Sequence, residues 1–169
     1  YILRDMPKGA DPLGPENVLT LMAGMPTRLY YTGYRHNAFD THVHQSDVHA
    51  RQLTYVADAI AGFMRDIERI GRADDVSLLI FSEFGRRAAE NTSLGTDHGT
   101  ANLMFAVGKH VRGGQYGTPS SLTELMPDGN LQFSADFRRV YATMIEGWLQ
   151  HKDGAAVLRG KFETFPIFA

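Results

Sequence analysis

The chain has 169 residues, 43% of them hydrophobic and 21% charged, enough to bury the core of one ordinary domain. Seventeen Lys and Arg against nineteen Asp and Glu leave a formal charge of −2, so the sequence carries no electrostatic footprint for nucleic acid or an anionic membrane surface. The absence of cysteine excludes disulfides, thiolate metal sites and cysteine nucleophiles, and no apolar run nears the roughly 20 residues that span a bilayer.

Residues 1–14 hold Pro7, Gly9, Pro12 and Gly14, a composition that favours an extended or turning arm. Pro15 then opens a short apolar stretch, Val18 to Met22, which predicts a short helix ending near Gly24. The first segment is therefore set at 1–26, an arm and short helix, and the remainder at 27–169. Thr27 to Thr32 is rich in β-branched and aromatic residues, stops at Gly33 and reads as a strand.

From Ser46 to Arg72 apolar residues recur every three to five positions, which predicts a long helix with Gly71 as its stop. Its packing face is expected to run through Leu53, Val56, Ile60, Phe63 and Ile67. Val76 to Phe81 is almost continuously apolar and short, the pattern of a strand covered on both faces in the middle of a parallel sheet. Ser82 to Thr100 is polar and too long for a mere connection, Asn102 to Val107 is a further strand candidate, and Lys109 to Gly117 is a glycine-rich turn region. Asp136 to Leu149 shows helical spacing through Phe137, Val140, Tyr141, Met144, Ile145 and Trp148. The alternation predicts an α/β fold of doubly wound type, with ligands gathered at the carboxyl ends of the strands.

Three polar clusters fall at that edge. The first, Phe39-Asp40-Thr41-His42-Val43-His44-Gln45, lies in a neighbourhood that holds four of the seven histidines. A carboxylate among imidazoles suits a borderline cation such as zinc or manganese, while the plain alternative is that Asp40 or Thr41 caps the incoming helix. The second, Phe81-Ser82-Glu83-Phe84-Gly85-Arg86-Arg87, puts an acid at a strand end, where it calls for a metal or a cationic partner. Arg86 and Arg87 either pair with Glu83 or hold an anionic substrate, and as neighbours in extended chain they are expected to point apart, Arg86 towards the site. The third, Gly95-Thr96-Asp97-His98-Gly99-Thr100, flanks an Asp-His pair with glycines that let the backbone approach a ligand while His98 is aimed at it. Asp40, His98 and one of His42 and His44 are expected to converge on a single point.

Taken with Glu90-Asn91, Val111-Arg112-Gly113-Gly114, Tyr116-Gly117 and Asp136-Phe137-Arg138-Arg139-Val140-Tyr141, these motifs resemble the bacterial domain-of-unknown-function family fifteen-oh-one from about Tyr30 onward. The resemblance implies a branch of the alkaline phosphatase and sulfatase superfamily. It implies a doubly wound, mostly parallel sheet of alkaline phosphatase-like type, present in part. It also implies metal-dependent hydrolysis of a small anionic phosphate or sulfate ester, with zinc or manganese, or else calcium or magnesium, as the cofactor. The metal ligands so implied are Asp40, His42 or His44, Glu83 and His98, with Arg86, Arg87 and Asn91 towards the substrate.

The superfamily's second metal is held by an Asp-His pair where this chain has Glu83-Phe84. Its hydroxyl nucleophile lies on a strand ahead of the Asp-to-His motif, for which the 39 residues before Asp40 offer no counterpart. The expectation is therefore a C-terminal part that meets a nucleophile-bearing part outside this chain. Family members commonly use twin-arginine export, which implies a periplasmic parent protein. A His-x-His amidohydrolase barrel is a rival reading of His42-Val43-His44, but too little chain follows His44 for such a barrel. A non-catalytic module with a degenerate site is the other alternative.

Overall fold

The structure, a computed structural model, describes residues 26–34 and 37–168. The expected arm and short helix, like His36, lie outside the described residues. The chain divides into two compact units, Tyr1–Ala73 with Asn91–Thr96, and Asp74–Glu90 with Asp97–Ala169.

The first unit is built on one helix, α1 (Gln45–Arg69). Asp47 in its first turn and Arg69 in its last complement the helix dipole. At its end Gly71 takes φ +71°, its N–H reaching Glu68 O and that of Arg72 reaching Ile67 O, so the terminal carbonyls are satisfied in the Schellman manner that the glycine predicts.

The packing face is rotated from the expected one. Ala59, Phe63 and Ile67 are buried, Val56 and Ile60 are half-buried, and Leu53 is 58% exposed. With 3.6 residues per turn, Leu53 lies about 80° round the helix from Phe63, whereas Gln45, His49, Gln52 and Val56 continue the Ala59–Phe63–Ile67 line towards the N-terminus. The face turns polar because it covers backbone carbonyls there, as described below. Ile67→Val should therefore cost about 0.5–1.5 kcal/mol in a urea titration, and Leu53→Ala should stay within about 0.5 kcal/mol.

Thr27 to Thr32 does not form the expected strand. Tyr31 alone makes a bridge, and Leu29 and Tyr31 are 72% and 56% exposed. High β-propensity describes a residue's fit to a half-buried pleated surface, and among the described residues this run has no ladder to fit.

In the second unit β1 (Ser77–Ile80) pairs antiparallel with β4 (Phe105–Gly108), Ser77 facing Gly108 and Ile80 facing Phe105. All four β1 residues are half-buried, and this ladder partner, the one that β1 has among the described residues, runs antiparallel to it. Before β1, Asp74 receives Lys109 Nζ and pairs with His110 Nε2, each at 2.8 Å, so both ends of the ribbon's chain are tied together. The Lys109 hydrogen bond, followed by that of His110, holds the Asp74 carboxyl below its ordinary range. Between these strands the long polar segment forms a second small ribbon, β2 (Gly85–Arg86) against β3 (His98–Gly99).

The helical spacing after Asp136 yields α2 (Phe137–Ala142), which runs on as a π-helical stretch, Thr143–Trp148. Thr143 is buried and satisfied, its hydroxyl donating to Arg139 O at 2.7 Å and accepting from Phe165 N at 2.8 Å. A short α3 (Gly154–Leu158) follows, capped by Asp153. The tail then returns over the glycine-rich turn, with Val111 bridging Phe168 and Arg112 N donating to Ile167 O.

Asp136 caps α2 by accepting from Arg138 N at 2.9 Å and grips the Arg138 guanidinium, which lowers its pKa from 3.8 to about 2. A carboxyl whose pKa falls on folding contributes stability that is complete above its unfolded value and lost as pH falls through the folded one. Asp136→Asn keeps a capping oxygen but removes the charge. Its Tm deficit against the parent should thus be full at pH 5 and shrink towards zero at pH 2.

Candidate functional site

The Asp40 cluster is fixed by a succession of carbonyl contacts. Ala38 O accepts from Gln52 Nε2 at 2.6 Å, Phe39 O faces His49 Nε2 at 3.4 Å, and Thr41 O accepts from Gln45 Nε2 at 2.9 Å. The residues involved sit at positions 45, 49 and 52, one face of α1, so the helix's polar turns seat the backbone of 38–41. The Phe39 ring adds an edge contact to His49 and a tilted one to Tyr34, both at 5.5 Å.

Held in this way, Asp40 and His42 meet side chain to side chain, Oδ1 to Nε2 at 3.1 Å, with Asp40 exposed and His42 half-buried. His44 takes another place. It is the N-cap of α1, in left-handed backbone at φ +44°, and exposed. Neither Asp40 nor Thr41 caps the helix; the N–H groups of His44 and Gln45 donate to Ser93 O and Leu94 O at 3.0 and 2.9 Å.

Those carbonyls belong to the loop Asn91–Thr96. Asn91 shapes the loop: its Oδ1 accepts from Ser93 N and Gly95 N, and its Nδ2 donates to His42 O at 3.1 Å. These contacts go to backbone, which makes Asn91 a support of the Asp40–His42 segment. Gly95 is buried at the closest approach, where a Cβ would overlap His42 O and stand 2.5 Å from His42 C. Its smallness serves the meeting of two backbones, which differs from the expected approach to a ligand. Gly99 is similar, since a Cβ there would stand 2.5 Å from Arg86 C. At the loop's end Thr96 Oγ1 donates to Gln45 Oε1 at 2.7 Å.

In the second unit the Glu83 and His98 clusters form one ribbon. His98 stands opposite Arg86 in the β2–β3 register, and its ring stacks on Phe84 at 3.7 Å between centroids and 12° between planes. The Arg86 guanidinium lies over the same Phe84 ring at 5.1 Å. Arg87 is exposed, and its charge helps to lower the Asp128 pKa after the larger effect of the Asn130 hydrogen bonds. Glu83 is exposed on a turn held by Asn102 Nδ2, which donates to Ser82 Oγ at 2.7 Å and Phe84 O at 3.0 Å, and it makes no ion pair among the described residues. The desolvation that would call for a partner at Glu83 is thus absent from this turn.

Sequence reasoning passed over Gln45, His49, Gln52 and Asn102 as holding groups, and Phe84 as the surface on which His98 rests. A periodicity count that admitted polar residues would have found the first three.

Among the described residues, no helix is long and apolar enough to cross a membrane. No curated protein and no solved structure matches the chain. The profile of the family described as "Protein of unknown function (DUF1501)" matches residues 27–161, most of the chain and every cluster above, and the protein accordingly belongs to the DUF1501 family.

Proposed function

We propose that the protein holds a divalent cation, zinc or manganese, on Asp40, His42 and His98 and that this centre serves the hydrolysis of phosphate or sulfate esters. Each of the three offers one ligand atom, a carboxylate oxygen or an imidazole nitrogen, a donor set suited to such cations. The observation that carries the reading is the 3.1 Å contact of Asp40 with His42 on a backbone fastened from α1 and from Asn91. His98 follows Thr96 by two positions, with Asp97 between them, and the Thr96 side chain is bonded to Gln45; two trans peptides reach no more than about 7.6 Å between Cα atoms, which supports His98 as the third ligand.

A bound cation would supply positive charge for the non-bridging oxygens of the ester. Arg86, fixed over Phe84 beside His98, would hold the anionic group, its planar fork matching phosphate or sulfate oxygens. Glu83 and His44 stand outside this minimal ligand set. Of the hydroxyls nearest the ligand residues in sequence, Thr41 and Thr96 both engage Gln45 and Thr100 donates to Leu131 O, so none is assigned as nucleophile. The doubly wound, mostly parallel sheet and a periplasmic setting belong to the same proposal and rest on the likeness to the superfamily.

The test is titration with Mn²⁺ and Zn²⁺ by calorimetry, followed by assay of aryl phosphates and aryl sulfates. Saturable binding in the parent, lost in Asp40→Ala, supports the centre, and absence of binding rejects it. One observation favours a binding role without turnover: Phe84 is an aromatic support where the superfamily has a ligand. Cation binding without hydrolysis of either ester class would decide for that reading.

A further inference from the structure

We infer that Gln45 is the positioning residue that ties the Asp40–His42 pair to the segment bearing His98; the inference rests on the metal reading above. The sequence places Gln45 at the end of the first cluster without a task, and the structure gives its amide contacts on two sides. Nε2 donates to Thr41 O at 2.9 Å and to Thr41 Oγ1 at 3.1 Å, while Oε1 accepts from Thr96 Oγ1 at 2.7 Å. The carbonyl of Thr41 can only accept, which fixes the amide's orientation and requires the Thr96 hydroxyl to be the donor.

Thr41 is the residue between Asp40 and His42, and Thr96 stands two before His98. One half-buried side chain therefore grips both pieces of chain that carry the ligands. Gln45 also anchors the loop through its own N–H, which donates to Leu94 O. Its neighbours on the helix face are a built-in comparison: His49 and Gln52 take the carbonyls of Phe39 and Ala38, on the first piece of chain.

No other residue type does the same. Glutamate accepts from Thr96 but offers no proton to Thr41, and asparagine is one methylene short. Removing a group that orients a ligand usually costs 10–100-fold in metal affinity.

The experiment measures Mn²⁺ and Zn²⁺ dissociation constants by calorimetry, with Tm recorded alongside, for the whole chain and for Gln45→Ala, Gln52→Ala, Thr96→Val and the Gln45→Ala/Thr96→Val double variant. Gln45→Ala and Thr96→Val should each weaken binding by about 10–100-fold. The double variant should be no weaker than Gln45→Ala alone, because both changes cut one tie. Gln52→Ala should lower Tm as much as Gln45→Ala and weaken binding far less. Equal weakening in Gln45→Ala and Gln52→Ala, or losses that add in the double variant, would overturn the inference and leave the metal centre standing. A parent chain that binds neither cation would reject the metal reading, and this inference with it. Should Gln45→Ala fail to fold, Thr96→Val against Gln52→Ala decides, since removing the Thr96 hydroxyl cuts the same tie from the loop side.

Discussion

Gly95→Ala is expected to unseat the loop Asn91–Thr96 and to cost about 3 kcal/mol in a urea titration. The added methyl meets the carbonyl of His42 and the N–H of Val43, which are backbone and have no rotamer to escape into. Relief requires the loop to lift. Lifting breaks the bonds from His44 N to Ser93 O, from Gln45 N to Leu94 O and from Asn91 Nδ2 to His42 O, each worth about 1 kcal/mol net. The same movement draws Thr96 from Gln45, so the variant should also bind Mn²⁺ or Zn²⁺ much more weakly than the parent. An unfolding free energy within about 0.5 kcal/mol of the parent's would mean that the loop does not rest on residues 42–45.

Asp40→Ala and His98→Ala should each remove cation binding by more than the 10–100-fold that follows loss of an orienting group, because each deletes a donor outright. Both residues are exposed, so Asp40→Ala should alter stability by no more than about 0.5 kcal/mol, while His98→Ala, which also loses the stack on Phe84, should cost about 0.5–1.5 kcal/mol. That contrast separates a ligand from a structural group: affinity collapses while the urea midpoint moves little. His44→Ala is the counterpart, an exposed imidazole two positions from His42 whose loss should leave affinity unchanged. If His44→Ala abolished binding and His42→Ala did not, the ligand set proposed here would have to exchange one histidine for the other.

What could be read from the sequence was whatever depends on near neighbours. Helix α1 and its Gly71 stop follow from spacing alone, as do the helix after Asp136 and the apolar runs that pair as β1 and β4. The Asp40–His42 contact was also within reach, since two residues of chain bring those side chains together. The remainder depends on partners far along the chain. Gly95 and Gly99 were visible as glycines, but what approaches them is His42 in one case and Arg86 in the other, and spacing does not name such partners. An apolar count puts Leu53 on the packing face because it cannot see that Gln45, His49 and Gln52 continue that face in polar form, against backbone carbonyls. Thr27 to Thr32 has the composition of a strand and lacks a ladder among the described residues, since pairing is decided by the partner as much as by the run.

The loop that receives the first N–H groups of α1 also sets an order of events during synthesis. Its bonds to the helix start span 49 to 51 residues of chain, and the helix has no side-chain cap of its own. An isolated helical segment is marginal in water, so the leading N–H groups of α1 lack their carbonyl partners until the chain has grown past Thr96. The C-terminal half of α1, closed locally at Gly71, can settle early, while the end that orients Asp40 and His42 is completed late. A nascent chain halted short of Asn91 should accordingly show its first helical turns exchanging amide hydrogens freely, and one extended beyond Thr96 should show them protected.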